Sequence, residues 1–321
     1  MKKVLGIGNA LVDIMTKLPN DEFLKQYGLK KGSMQLSEKE FVEKINAASS
    51  DFEKHQSSGG SAANTIHGLA NLGVETGYIG KVGDDEFGKF FSKDMQTNNI
   101  EPLLLKGKND TGRAIALISP DSERTFATYL GAAIELNEDD IVNQQFKGYD
   151  ILHIEGYLVQ NHSLLQNAAA LARVNGLKIS IDMASFNIVE DNIDFLKPYV
   201  EKYVDIVFAN EEEAKAFTGE EPEKALDIIA NMCDLAIVKI GKQGSLVKKG
   251  DKKHFVEAIK ANAIDTTGAG DLYASGFLYG LVNELPLPKC GEIGSLLAGK
   301  VIEVIGSKLS DNTWRIIKDK I

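Results

Sequence analysis

The sequence predicts an α/β fold organised around a mostly parallel sheet. Three observations carry that expectation. Short apolar runs alternate with longer amphipathic stretches from about residue 150 onward. The last third of the chain carries long helical patterns. Two segments interrupt the rhythm, as an inserted β unit would. A length of 321 residues, 43% of them hydrophobic and 26% charged, suits one large domain over 1–321 with a sizeable core.

Residues 4–7 read as the first strand, followed by a helical pattern at 62–72 and a strand at 77–82. Further strands are expected at 151–154, 178–182, 205–209 and 235–240, where Ile, Val and Leu predominate. Helices with apolar spacings of three and four fill the gaps at 163–174, 191–202 and 222–232. Strand, helix, strand at this rhythm implies βαβ crossovers. Helices at 269–283 and 292–305 and a short piece around Trp314 complete the chain.

The interrupting segments are 14–38, with Pro19, Asn20 and Gly32, and 110–130. The second holds two extended runs, AIALIS and RTFATYL, around the turn Pro120-Asp121-Ser122 and reads as a β-hairpin. Both are expected to belong to a small β lid.

A formal net charge of −10 argues against a dedicated nucleic-acid binder, which needs an electropositive stripe. It leaves room for a phosphate site, which needs only a few local donors. The two cysteines, Cys233 and Cys290, form no CxxC pair, and a reduced cytoplasmic setting fits them. The apolar start is broken by Gly8, Asn9 and Asp13, so it reads as a strand and not a signal peptide. No run of about 18 apolar residues predicts a membrane span.

The most informative segment is Asp265-Thr266-Thr267-Gly268-Ala269-Gly270-Asp271. Small residues at 268–270 let the backbone approach a ligand, and the segment runs directly into an apolar helix. Free N–H groups at that helix start make an anion site. Asp271, in the first turn, stands where a carboxylate could take a hydroxyl proton beside a transferring phosphoryl group. An ordinary N-cap with a dipole-complementing acid would also account for GAGD alone. Elsewhere, Gly59 and Gly60 open a turn before a helix that carries Asn64 one turn in. Asn9 and Asp13 lie near the end of the first strand, where α/β sheets bind ligands. Asn210 and Glu213 open a helix after the third of the later strands. Gly241-Lys242-Gln243-Gly244 is either a nucleotide loop or a plain hairpin turn. The string 294–300, GSLLAGK, is close to a P-loop but is followed by Val301 and lies in a helical pattern, so it is read as helix. His153, within ILHI, is read as a core residue.

With Ser275, Gly276 and Phe277, the 265–271 stretch resembles the second signature of the PfkB-type, ribokinase-like family of sugar and nucleoside kinases. Residues 57–73 resemble its first signature, with Ile66 where the family has a small residue. The resemblance implies a three-layer α/β sandwich with a small β lid. It implies Asp271 as catalytic base after the catalytic turn Gly268-Ala269-Gly270, with the N–H groups of Ala269, Gly270 and Asp271 stabilising the transferring group. Asn9, Asp13, Gly59, Gly60 and Asn64 would bind the acceptor, with Phe186 either stacking on a base or in the core. Arg124, like Arg113, would reach phosphates from the lid or be solvated. Thr266, Asn210, Lys239, Gly241 and Gly244 would contact ATP, and Glu213 would order Mg²⁺. A monovalent cation such as K⁺ is also allowed. The start GNALVDI and the run YVEKYVDIVFANEEEA are similar to adenosine kinases within the family, whereas Arg113 and the runs 122–125 and 129–132 depart from them. The expected reaction is therefore MgATP-dependent phosphorylation of a nucleoside 5′-hydroxyl, chiefly adenosine, by a monomer or homodimer. Alternatives are a sugar kinase of the same family and a nucleoside-binding regulator without chemistry. A nicotinamide dehydrogenase lacks its third glycine after Gly6-x-Gly8.

Overall fold

The computed structural model describes residues 2–121 and 123–321, so Ser122 of the expected turn lies outside the described residues. In chain order the strands are β1 (Val4–Ile7), β2 (Leu11–Lys17), β3 (Met34–Leu36), β4 (Lys54–Gly59), β5 (Thr76–Val82), β6 (Ile100–Lys106) and β7 (Gly112–Ile118). There follow β8 (Arg124–Tyr129), β9 (Ile151–Glu155), β10 (Lys178–Asp182), β11 (Ile206–Asn210), β12 (Leu235–Lys239), β13 (Ser245–Lys249) and β14 (Lys252–Val256). Nine of them form one sheet in the order β14-β13-β12-β11-β10-β9-β1-β5-β6, and five form a second in the order β3-β8-β7-β2-β4.

The large sheet is parallel from β12 to β6 and antiparallel only at β13 and β14. Its strands are continuous apolar runs because both faces are covered. Alternation assigns the faces: Val4, Ile206, Phe208, Leu235 and Ile237 join one core, and Leu5, Ile7, Val207, Ala209, Ala236 and Val238 the other. Helices Ser61–Asn71 and Ala269–Val282 cover the first face, through Ile66, Leu69, Tyr273 and Phe277. Helices His162–Val174, Ile193–Tyr203, Glu211–Thr218 and Pro222–Ala230 cover the second. The result is three layers.

Local chemistry sets the boundaries. Asn210 and Glu213 form a capping box at the start of Glu211–Thr218, and left-handed Gly219 closes that helix. The helix expected at 191–202 is Ile193–Tyr203, and a short helix that was not expected, Phe186–Asp191, precedes it across Asn192. The helix expected at 292–305 is Leu287–Val301; beyond it the chain turns at Gly306, φ +89°.

In the small sheet β7 and β8 pair antiparallel, with Ala114 opposite Thr128. β2 joins β7 in parallel and β4 in antiparallel fashion. The sheet therefore draws on residues outside 14–38 and 110–130: it includes β4, and helix Lys39–Ala48 packs on β7 and β8. β4, KHQSSG, lacks the apolar alternation that betrays a half-buried strand.

Candidate active site

The parallel strands of the large sheet deliver their carboxyl ends to one edge, where open α/β sheets bind ligands. β1 runs out at Gly8 and Asn9, β9 ends at Glu155, β10 at Asp182, β11 at Asn210 and β12 at Lys239. Helix Ala269–Val282 begins there, and the end of β4 brings Gly59 and Gly60 from the small sheet.

Asp271 is half-buried in the first turn of its helix. Its Oδ1 accepts from Ser61 Oγ at 2.7 Å and its Oδ2 from Asn64 Nδ2 at 2.9 Å. Asn64 is itself fixed by Ser307 Oγ, which donates to Asn64 Oδ1 at 2.8 Å. Burial raises the Asp271 carboxyl to about 6, against the pull of the Asn64 and Ser61 donors. A base of that strength is ionised at neutral pH yet takes up a proton more readily than an exposed aspartate. Asn64, expected to bind the acceptor, thus serves Asp271 with the nitrogen end of its amide while Ser307 holds the oxygen end.

The turn before Asp271 is built as a cradle. Gly268 is left-handed, φ +74°, and a Cβ on it would lie 2.8 Å from the Ser307 Cβ. Asp265 accepts from Thr267 N at 3.0 Å and from Gly306 N at 2.8 Å, so the loop is clamped from below. The expectation of three backbone donors at 269–271 needs correction. Ala269 N–H bonds to the Thr266 carbonyl at 3.2 Å, which leaves those of Gly270 and Asp271 free among the described residues. A Cβ on Gly270 would lie 3.0 Å from Lys239 Nζ, so that ammonium borders the free donors.

Lys239 pairs with Asp182 at 2.9 Å, both nearly buried. Burial opposes its charge, but Asp182 and Glu213 overcome that and hold its pKa above the ordinary value. Glu213 is pushed up to about 7 by burial and by Asp182. Asn210 and Glu213 are engaged with each other: Asn210 N and Nδ2 donate to the two Glu213 oxygens at 2.7 Å, and Glu213 N donates back to Asn210 Oδ1 at 2.8 Å. No group of three or more His, Cys, Asp or Glu side chains among the described residues could hold a metal ion alone. The set fits a hydrated Mg²⁺ that takes most ligands from water and phosphate, since the charges of Asp182, Glu213 and Asp271 gather around Lys239.

Two further carboxylates, Glu155 and Asp13, each feel the Asp271 charge. Asn9 Nδ2 donates to Glu155 Oε1 at 2.6 Å and Ala62 N to Glu155 Oε2 at 3.1 Å. Burial lifts Glu155 to about 7 and Asp13 to about 6. A Cβ on Gly59 would collide with the Asp13 carboxylate, and one on Gly60, φ +101°, with the Asn9 carbonyl oxygen. Gly59 thus leaves the space in which Asp13 sits, and Gly60 the room for the Asn9 carbonyl. Ile66, bulky where a small residue was expected, fills the room left by Gly6 of β1.

Other expected residues lie at the margin of this cluster or apart from it. Phe186 is 45% exposed at the head of its short helix, which excludes the core role. Gly241 and Gly244 belong to the tight connection between β12 and β13, a hairpin in which Lys239 faces Ser245. Thr266 is exposed, its carbonyl holding the Ala269 N–H. Arg124 spans the two sheets: it pairs with Asp265, and its guanidinium donates to Thr267 Oγ1 at 3.0 Å. Arg113 is buried and not solvated. It lies against the Phe87 and Tyr129 rings with Glu43 and Asp110 at 3.6 and 3.8 Å, away from the site. Sequence reasoning overlooked Ser61, Glu155, Asp182 and Ser307. An acid closing a buried strand, as in ILHIE and KISID, is the signal that marks Glu155 and Asp182.

The sequence model described as pfkB family carbohydrate kinase matches residues 30–314. The 5-dehydro-2-deoxygluconokinase of Geobacillus kaustophilus is 30% identical over 76% of this chain and 78% of that protein. Among solved structures, adenosine kinase from Sinorhizobium meliloti superposes with a TM-score of 0.88 at 34% identity, covering 100% of this chain and 99% of that one. A probable sugar kinase from Rhizobium etli gives 0.88 and 34%, covering 99% and 98%. The architecture is accordingly the ribokinase-like α/β fold, with its second small sheet. With a matched region spanning most of its length, the chain belongs to the pfkB family of carbohydrate kinases.

Proposed function

We propose that this kinase transfers the γ-phosphoryl group of ATP to the 5′-hydroxyl of a nucleoside, chiefly adenosine. The observation that carries the reading is the constellation around Asp271: a carboxylate held by Ser61 and Asn64, two free N–H donors beside it, and Asp13 close enough to raise its own pKa through the Asp271 charge. The likeness of the whole chain to the Sinorhizobium meliloti adenosine kinase supports the acceptor.

Phosphoryl transfer asks the protein for position and charge. Asp13 receives hydroxyl hydrogen bonds from the acceptor's ribose, with Asn9 oriented alongside by Glu155. Asp271 takes the proton of the attacking hydroxyl. The Gly270 and Asp271 N–H groups and Lys239 face the oxygens of the transferring group, where added negative charge is stabilised. Mg²⁺, when bound with ATP, neutralises phosphate charge, and Glu213 and Asp182 are the side chains that would hold its water shell. Arg124, on the first residue of β8, ties the small sheet to the loop at 265–267 and so helps exclude water.

The likeness to a 5-dehydro-2-deoxygluconokinase favours a second reading, a sugar as acceptor. A coupled ADP-release assay over adenosine, inosine, ribose, fructose and 5-dehydro-2-deoxygluconate separates the two. Adenosine turnover well above the others supports the first reading; preference for a sugar replaces it, and no turnover of any acceptor removes both.

A further inference from the structure

Beyond helix Leu287–Val301 the chain threads beneath the phosphate cradle. Gly306 N donates to Asp265 at 2.8 Å and Ser307 Oγ to Asn64 at 2.8 Å. The next residue, Lys308, carries its Nζ into the interior, where it is shielded from solvent and finds no hydrogen-bond acceptor among the described residues. A buried ammonium without partners is costly and persists only where surrounding charge compensates. The segment lies against β2, where a Cβ on Gly306 would come within 2.7 Å of the Met15 sulfur, and Met15 shares a strand face with Asp13, two residues before it. The carboxylates whose charge reaches Lys308 are Asp94 of helix Glu86–Thr97, Asp13 and Asp271. His67, on helix Ser61–Asn71, is its other titratable neighbour and stays neutral, burial and the Lys308 charge together pushing it down to about 2.

Those three carboxylates are not equivalent. Asp271 has Ser61 and Asn64 as donors, and Asp94 has the Ser58 hydroxyl and Asn98. The Asp13 side chain accepts no hydrogen bond from the described residues. The charged groups around it are Lys308, Asp271 and Arg124, and Arg124 is committed to Asp265. We infer that Lys308 is a positioning residue for the acceptor: its unpartnered ammonium is the counter-charge that keeps Asp13 a carboxylate. The site is thereby tuned to an acceptor that donates hydroxyl hydrogen bonds at that point. This inference rests on the assignment above of Asp13 to the acceptor. The direction of the Asp13 shift agrees with it, since burial raises that carboxyl and Lys308 is the largest influence pulling it down. Lys308 itself is pushed down to about 8 by burial and held there by Asp94, Asp13 and Asp271.

The test is a ¹³C NMR titration of the full-length protein labelled at aspartate carboxyls. The Asp13 signal is the one missing from Asp13→Asn. Lys308→Met should raise the Asp13 midpoint by about one unit, and Lys308→Arg should restore it. Starting from a midpoint of about 6, a one-unit rise cuts the ionised fraction about five-fold at pH 6 and hardly at all at pH 8. The KM for the acceptor should follow, about five-fold higher at pH 6 and near wild type at pH 8, with the KM for MgATP unchanged. Lys308→Gln provides the same comparison should the methionine variant not fold. Equal Asp13 midpoints in wild type and the neutral variants would overturn the inference. A titration that shifts in a protein that phosphorylates no acceptor would sustain the Lys308–Asp13 coupling and dispose of the proposed reaction instead.

Discussion

Replacing Asp271 by Asn separates activity from stability, and the structure sets the sign of both. Loss of the base should lower turnover by about 10²–10⁴, or roughly 3–5 kcal/mol on the barrier. The fold should survive, because Ser61 and Asn64 can hydrogen-bond an amide, the Ser307 hydroxyl rotating as Asn64 adjusts. Stability should rise. The carboxyl goes from its ordinary 3.8 to about 6 on folding, so the native state binds the proton more tightly than the unfolded chain. Stability is then lost as pH climbs from 3.8 toward 6, and the loss is complete at neutral pH. At 1.36 kcal/mol per unit this comes to at most about 3 kcal/mol, or about 4 °C in Tm for a chain of this length. Asn carries no such cost. Calorimetry at pH 7 beside a single-turnover assay reads both quantities. A variant within about ten-fold of wild-type rate, or one less stable than wild type, would refute the reasoning.

Three further outcomes follow from the same geometry. The rate of the wild-type enzyme should rise with pH through about 6 as Asp271 loses its proton, and a pH profile of kcat/KM shows whether that limb exists. Lys239→Met leaves Asp182 buried and unpaired and should cost about 3–5 kcal/mol in urea unfolding, whereas an unchanged midpoint would mean that water already serves Asp182. Gly60→Ala puts a side chain at φ +101° against the Asn9 carbonyl and should cost at least about 2 kcal/mol while raising the acceptor KM; a neutral result would show that the turn yields.

The sequence made the large sheet legible because a strand buried on both faces has few alternatives: LAIVK and IVFAN can hardly be anything else. The cradle was legible because it is local, seven consecutive residues and a helix start. What escaped was whatever depends on chain segments meeting at long range. Polar β4 is a strand only because β2 lies beside it, its pairing running from Leu11 opposite Gly59 to Thr16 opposite Lys54. Ser61 and Ser307 look like any surface serine until the fold places them against Asp271 and Asn64. Glu155 and Lys308 have no motif, and burial among other charges gives them their character. Arg124, expected to reach phosphates from the lid, also pairs with Asp265 of the cradle, a partner far away in the sequence that no local pattern marks.

Asp271 and its supports come from distant stretches of the polypeptide: 210 residues separate Ser61 from Asp271, and 243 separate Asn64 from Ser307. Helix Ala269–Val282 docks on helix Ser61–Asn71 at a point where Gly68 leaves room for Ser275. Neither stretch alone contains a working centre. Enzymatic competence therefore requires this long-range closure, whereas secondary structure can form locally without it. In a refolding experiment, recovered activity would lag behind circular dichroism, and the interval between them would time that closure.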